Sequence, residues 1–111
     1  MSVRTAIPLP LDLLADFCRQ YGIERLEVFG SILTDEFGPN SDIDLLYTFA
    51  PGAIAGISLM DIAGWEIELS EKLGREVQLV DRVGIERSRN HIRRNGILQS
   101  AEVLLDFTQA A

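Results

Sequence analysis

The chain has 111 residues but only one cysteine, one histidine and no long apolar run. A single thiol, Cys18, cannot form an internal disulfide or a thiolate metal site. The single histidine, His91, likewise excludes a metal cluster built from several histidines. No segment approaches the roughly 20 apolar residues that span a bilayer. Asp12 and Asp16 also interrupt the apolar stretch near the N-terminus, so we expect neither a signal peptide nor a membrane span.

Basic residues are also few. Ten Lys and Arg stand against 17 Asp and Glu, which gives a net charge of −7. This balance argues against direct nucleic-acid binding, because neutralising phosphates requires surplus positive charge. The apolar fraction of 47% is typical of a globular protein and excludes general disorder. We therefore expect residues 1–111 to form a single cytoplasmic domain.

Apolar periodicity and turn residues divide the chain into alternating helices and strands. The predicted helices share a 3.6-residue period and cover residues 8–21, 58–73 and 85–95. The predicted strands are short apolar or alternating runs at residues 26–29, 43–49, 75–81 and 101–105, and residues 34–41 are predicted as loop. This order is that of a compact α/β domain.

The predicted helix 58–73 has one broad apolar arc that contains a single carboxylate. Members of the arc are Leu59, Met60, Ile62, Ala63, Ile67, Leu69 and Leu73. Trp65 lies at its margin, as a core-edge residue or a partner contact. Glu66 lies inside it, and a buried carboxylate needs a partner such as Arg75 or an arginine of the last helix. Glu66 is either directed toward a pocket or a tolerated edge charge.

The strongest chemical pattern joins two predicted strand ends. Gly30-Ser31 ends the first strand, ten residues follow, and Asp42-Ile43-Asp44 opens the second. Side chains alternate along a strand, so Asp42 and Asp44 project to one side with Cα atoms about 7 Å apart. Two carboxylates at this spacing can converge on Mg²⁺, whose other positions are filled by water and substrate phosphate.

The Gly30-Ser31 turn complements these carboxylates. Without a side chain, Gly30 allows a phosphate to approach the backbone closely. Ser31 supplies a hydroxyl and, where a helical turn begins, free N–H groups that favour an anion. Each half of the pattern is common when it occurs alone. Together they predict a site for a nucleoside triphosphate with Mg²⁺.

This spacing, with Val28-Phe29-Gly30-Ser31 and Ser41-Asp42-Ile43-Asp44-Leu45, resembles the signature of the minimal nucleotidyltransferases, small relatives of the DNA polymerase β superfamily. The resemblance covers most of the chain and implies a small mixed β-sheet flanked by helices. It also implies that Asp42 and Asp44 bind Mg²⁺ and that Gly30 and Ser31 hold the triphosphate of ATP. Many members of that family are encoded beside a HEPN-domain toxin and act as its antitoxin by transferring AMP to a tyrosine.

The sequence departs from this family at the third carboxylate. The family strand usually reads Val-Asp-Leu-Val, whereas this chain reads Val77-Gln78-Leu79-Val80. Gln78 offers a carbonyl oxygen but no charge, and it cannot act as a general base. Glu76 lies on the same face of the strand and has a longer reach, or is a solvated residue at the strand start. Asp81 is three residues from Gln78, so its side chain should project to the opposite face of the strand.

Five arginines, half of the basic residues, fall between residues 82 and 94: Arg82, Arg87, Arg89, Arg93 and Arg94. They either grip phosphates or an acidic partner, or form a solvated helix face. Two functions follow from the sequence. The first is an active Mg²⁺-dependent adenylyltransferase that modifies a HEPN toxin. The alternative is a weakened or inactive relative, because of Gln78, that neutralises its partner by binding alone.

Overall fold

The computed structural model describes residues 3–108, which form one four-stranded sheet with helices on both faces. The helices are α1 (Leu11–Tyr21), α2 (Leu59–Leu73), α3 (Arg82–Glu86) and α4 (His91–Ser100), and a 3-10 turn covers Gly30–Leu33. The strands are β1 (Ile23–Phe29), β2 (Ile43–Phe49), β3 (Val77–Asp81) and β4 (Glu102–Asp106). The predicted α/β class, with a mixed sheet, is confirmed.

The sheet has the spatial order β3-β2-β1-β4. Strand β1 pairs antiparallel with both β2 and β4, whereas β2 and β3 are parallel. Antiparallel strands can be joined by short connections, but parallel strands need a crossover, which α2 supplies here. This topology puts β2 between β1 and β3, so a residue on β2 has neighbours on both sides.

One face of the sheet packs against α1 and α2 and carries the main core. Its fully buried members include Leu14 of α1, Leu26 of β1, Leu45 of β2 and Leu69 of α2. The alternate residues of the same strands face α3 and α4. That second face has only a small buried cluster, formed by Phe29, Leu46, Ile85 and Ile97.

Local sequence explains where α2 begins. Ser58 is the N-cap: its hydroxyl accepts a hydrogen bond from the Asp61 backbone N–H at 3.2 Å. The Asp61 carboxylate in turn accepts one from the Ser58 N–H at 2.8 Å, which completes a capping box.

The predicted apolar arc of α2 is wider than the part of the helix that is buried. Trp65 and Leu69 are buried, as the period predicts, but Leu59, Met60 and Ile67 are exposed. The sheet and α1 cover only one side of the helix, so an apolar arc this wide extends beyond the covered surface.

Most other predicted boundaries hold within a few residues, and one prediction needs correction. The predicted helix 85–95 is two helices, α3 and α4, separated by residues 87–90. The side chains of Asp81 and Asn90 cap these two helices by accepting hydrogen bonds from Val83 N and Arg93 N. A polar capping residue such as Asn90 looks the same in the sequence as a polar residue on the exposed side of a continuous helix. The hydrophobic periodicity alone therefore did not indicate the break.

Candidate active site

Asp44 is the second residue of β2 and lies on the second face of the sheet. In the register it stands between Phe29 on β1 and Gln78 on β3. Burial raises the pKa of the Asp44 carboxyl, and the nearby negative charge of Asp42 raises it further. Asp42 precedes β2 by one residue and shares the parity of Asp44. The two carboxylates are therefore neighbours whose charges repel, an arrangement that a cation would relieve.

Gly30 approaches one member of this pair, Asp44. It begins the 3-10 turn that follows β1, with a φ of +84°. A Cβ atom at Gly30 would lie 2.5 Å from the Asp44 Oδ2 atom. Only a residue without a side chain therefore leaves room for the carboxylate, and the left-handed φ independently favours glycine. Ser31 follows within the same turn, so the structure brings this turn and Asp44 together.

Gln78 completes the group from β3. Its Nε2 donates a hydrogen bond to the Asp42 Oδ2 atom at 3.1 Å. The amide thus contacts a carboxylate without adding charge. Within residues 3–108, no cluster of three or more His, Cys, Asp or Glu side chains has an arrangement that could hold a metal ion. The donor set is two carboxylates and one amide, which fits Mg²⁺ because that ion commonly takes one or two protein carboxylates.

Gly30, Asp44 and Gln78 line a cleft of about 450 Å³ between the second face and α4, whereas Asp42 lies outside its lining. The sheet contributes Phe29, Gly30, Asp44, Gln78 and Val80, and α4 contributes Ile92, Arg93, Gly96, Ile97 and Ser100. A volume of this size is in the range of small-molecule sites. Among the described lining residues, Arg93 is the one cationic side chain and Asp44 is the one acidic side chain.

The loop before Asp42 is held in place by Arg75. The Arg75 Nη1 atom donates to the carbonyl oxygens of Gly38 and Ser41, both at 2.8 Å. Its guanidinium also lies over the Phe37 ring, 4.4 Å from the centroid. Arg75 therefore fixes the backbone immediately ahead of Asp42.

Glu66 has a different partner from the arginines that the sequence suggested. Its Oε2 atom accepts a hydrogen bond from the Leu79 backbone N–H at 2.7 Å. Leu79 lies on β3, which is an edge strand, so Glu66 satisfies a donor that no neighbouring strand satisfies. This contact is structural and lies on the α2 side of β3, away from the cleft.

The other two acids considered as third carboxylates do not reach the cleft. Glu76 lies in a recess with Asp42 but is absent from the cleft lining beside Asp44. The Asp81 side chain caps α3, as expected from its parity. Gln78 is therefore the β3 residue that faces both aspartates.

The arginines between residues 82 and 94 do not act as one group in the structure. Arg82 donates from Nη1 to both carboxylate oxygens of Glu27, at 2.8 and 2.9 Å. Glu27 is buried on β1, and the sequence analysis missed it. A charged residue between Leu26 and Val28 in an apolar strand was the available signal. Only Arg93 of the cluster lines the cleft.

Comparison with known proteins identifies the fold and family. The family described as "Nucleotidyltransferase domain" matches residues 11–103. A relative in Methanocaldococcus jannaschii, named "Putative protein adenylyltransferase", is 38% identical over 61 residues. That match covers 55% of this chain and 61% of the relative, so it spans only about three fifths of the relative's length.

Solved structures with this fold include toxin–antitoxin complexes. A crystal structure of a toxin–antitoxin with AMP-PNP superposes with a TM-score of 0.69 at 20% identity, covering 91% of this chain and 77% of the other. A structure of a tri-AMPylated Shewanella oneidensis HEPN toxin in complex with MNT antitoxin gives a TM-score of 0.60 at 19% identity, covering 89% and 71%.

Among the described residues, no helix has the length and apolarity needed to cross a membrane. The matched region contains β1, β2, β3 and the turn at Gly30, so it includes every element that forms the cleft. By sequence and by fold, this chain belongs to the nucleotidyltransferase domain family.

Proposed function

We propose that this chain is an Mg²⁺-dependent adenylyltransferase that transfers AMP from ATP to a tyrosine hydroxyl of a HEPN-domain toxin, and so acts as its antitoxin. The observation that supports this most directly is the contact between Gly30 and Asp44 in the cleft, with the charge of Asp42 close to Asp44. The names of the M. jannaschii relative and of the S. oneidensis complex favour the same reaction and partner.

At the α-phosphorus the reaction forms one bond and breaks one, and the O–H bond of the acceptor also breaks. The acceptor oxygen attacks the α-phosphorus of ATP, the bond between the α-phosphorus and the bridging oxygen breaks, and pyrophosphate leaves. The hydroxyl proton passes to solvent, because the amide of Gln78 cannot accept it. Mg²⁺, when bound, neutralises charge on the phosphates and on the leaving pyrophosphate.

Five residues in the cleft or next to its lining residues have roles in this proposal. Asp42 and Asp44 hold the metal ion, and their mutual repulsion makes a bound cation favourable. Gly30 and Ser31 hold the β- and γ-phosphates through backbone N–H groups and the hydroxyl. Arg93 faces the same cleft and would attract the triphosphate.

The direct test uses ATP labelled at the α-phosphate, Mg²⁺ and a HEPN-domain protein from the same organism, as the acceptor. We expect label on the partner and release of pyrophosphate. Asp44→Asn should lower transfer by about 10³-fold, because it removes charge where the metal binds. Asp16→Asn is the matched control, since Asp16 is an exposed carboxylate on α1 that pairs with Arg19 far from the cleft. Transfer that survives Asp44→Asn would refute the metal assignment.

A second candidate function is neutralisation by binding alone. The hydrogen bond between Gln78 and Asp42 favours it, because the third carboxylate of the family is an uncharged amide here. The same assay separates the two functions. A tight complex that forms without nucleotide and never acquires label would establish the binding function and reject the transferase.

A further inference from the structure

Helix α2 carries apolar side chains that nothing in the described chain covers. Leu59 and Met60 are 85% and 84% exposed, Ile67 is 62% exposed, and Ala63 is also exposed. These four residues lie on adjoining turns of one side of the helix, and we call them the α2 stripe. A contiguous exposed apolar surface of this kind commonly marks an interaction site.

Two residues of the α2 stripe, Ala63 and Ile67, line a groove. The groove lies between α2 and β3, has a volume of about 720 Å³ and is the largest of the cavities described. Ala63 and Ile67 line it from α2, and Glu76, Val77 and Gln78 line it from the β3 side. Apolar side chains thus lie beside the edge strand of the sheet.

An added β-strand cannot pair readily with edge strand β3, because the N–H groups that it would use are already bonded. The Val77 N–H donates to the Ser70 hydroxyl at 2.9 Å, and the Leu79 N–H donates to Glu66. An extended peptide binds a sheet edge through such N–H groups, and α2 already occupies both. A helix needs no backbone donors from its partner, so a helix is the secondary structure that suits this groove.

The charges of the groove restrict the occupant further. Glu66, Glu71 and Glu76 line it, and Arg75 is the one cation among its described lining residues. The Arg75 guanidinium is already bonded to the carbonyl oxygens of Gly38 and Ser41. An occupant with Lys or Arg beside its apolar residues is therefore complementary.

A second copy of the chain fits less well. A symmetric dimer through the α2 stripe would bring the same acidic side chains face to face, and like charges across an interface are costly. An asymmetric contact through the arginines of another copy would give an open filament unless the rotation between copies closed a ring.

The groove also adjoins the reaction centre. Gln78 lines both the groove and the cleft that contains Asp44. We propose that the groove docks an amphipathic helix of the acceptor protein, with apolar residues on the α2 stripe and Lys or Arg against Glu71 and Glu76. This inference rests on the proposed function, since it names the surface by which the acceptor reaches the cleft.

The test measures partner affinity and transfer with single variants. Ile67→Lys puts a charge in the stripe, and Glu71→Lys reverses a groove charge. Ile54→Lys is the matched control, because Ile54 is 56% exposed outside the groove. The Kd for the HEPN-domain protein is measured by titration calorimetry, and binding of a fluorescent ATP analogue is measured in parallel.

We expect Ile67→Lys and Glu71→Lys each to raise the Kd and the partner KM about tenfold or more. The kcat, the affinity for the ATP analogue and the behaviour of Ile54→Lys should stay as in the wild type. Wild-type affinity in both groove variants, or equal weakening by Ile54→Lys, would overturn the docking surface. Self-association of the isolated chain that Ile67→Lys abolishes, seen by sedimentation, would assign the stripe to a second copy.

The docking surface and the proposed function can fail separately. Transfer that proceeds with unchanged partner KM in the groove variants rejects the docking surface and leaves the transferase intact. A complex that depends on Ile67 and Glu71 but never transfers AMP supports the docking surface and rejects the transferase.

Discussion

The two faces of the sheet differ in what they bury. The face toward α1 and α2 buries an extended apolar core that includes Leu26, Leu45 and Leu69. The face toward α3 and α4 buries only a small apolar cluster, together with the ion pair between Glu27 and Arg82. The two aspartates and the cleft belong to this second face.

This difference assigns stability and chemistry to opposite sides of the same strands. Apolar burial drives folding, so the α1–α2 face supplies most of the stabilising free energy. Carboxylates that repel one another destabilise the fold, and the α3–α4 face tolerates this because the core lies behind it. Substitutions on the two faces should therefore separate stability from activity.

The largest effect is expected from a substitution in the apolar core between the sheet and helices α1 and α2. Leu69 is fully buried, so Leu69→Ala should lower the free energy of unfolding by about 2–5 kcal/mol, because it leaves a cavity. Leu59→Ala on the same helix is the control, and as an exposed position it should change stability by less than about 0.5 kcal/mol. Urea unfolding measures both. Equal stabilities for the two variants would contradict this assignment of the core.

The next effect tests the chemical face. Gly30→Ala would place a Cβ atom against the Asp44 carboxylate, and a displacement of this size should lower transfer by about 10²-fold. Gly52→Ala is the control: its φ is +82°, close to that of Gly30, but nothing lies within 4 Å of its Cβ position. Both variants share the backbone cost of about 1–2 kcal/mol. Equal transfer rates would mean that contact with Asp44 is unimportant.

A smaller effect should come from restoring the third carboxylate. Gln78→Asp adds charge beside Asp42 and should raise transfer about tenfold, or about 1.4 kcal/mol in barrier. Without Mg²⁺ the added charge should lower the melting temperature, because the hydrogen bond to Asp42 is replaced by repulsion. Adding Mg²⁺ should recover the loss. Gln78→Ala serves as the control, and a rate increase in it as large as that of Gln78→Asp would exclude charge as the cause.

The smallest effect lies at the margin of the core face. Tyr21 donates a hydrogen bond to Glu68 at 2.8 Å, and this bond lowers the pKa of the Glu68 carboxyl. Tyr21→Phe should cost about 1 kcal/mol at neutral pH. A lowered pKa stabilises the fold above the ordinary carboxyl pKa, and this contribution is lost as pH falls through the folded value. The difference between wild type and variant should therefore shrink in acid, as urea unfolding at two pH values would measure.

Local patterns predicted most of the fold. Strand β2 spans the predicted residues 43–49, and α2 begins after Ser58 because the capping signal lies in the sequence itself. The break between α3 and α4 was missed, since its capping residues fit a continuous helical pattern. The exposure of Ile67 was also missed, because periodicity gives the direction of an apolar arc but not how much of it neighbouring elements cover.

The candidate site was predictable in composition but not in its contacts. The pattern of Gly30 with Asp42 and Asp44 predicted that these residues act together. The hydrogen bond from Gln78 to Asp42 depends on the parallel register of β2 and β3, which no local signal fixes. The anchoring of the loop by Arg75 depends on contacts 34 and 37 residues apart in sequence. The metal and nucleotide roles of these residues remain predictions.

Arg75 links two surfaces that would otherwise be independent. It lines the groove beside α2, and the same guanidinium grips the loop that leads into Asp42. The side chain that helps to shape the groove is therefore the same one that orders the backbone ahead of Asp42. A substitution of Arg75 should alter both surfaces at once, whereas Glu71→Lys should alter the groove alone.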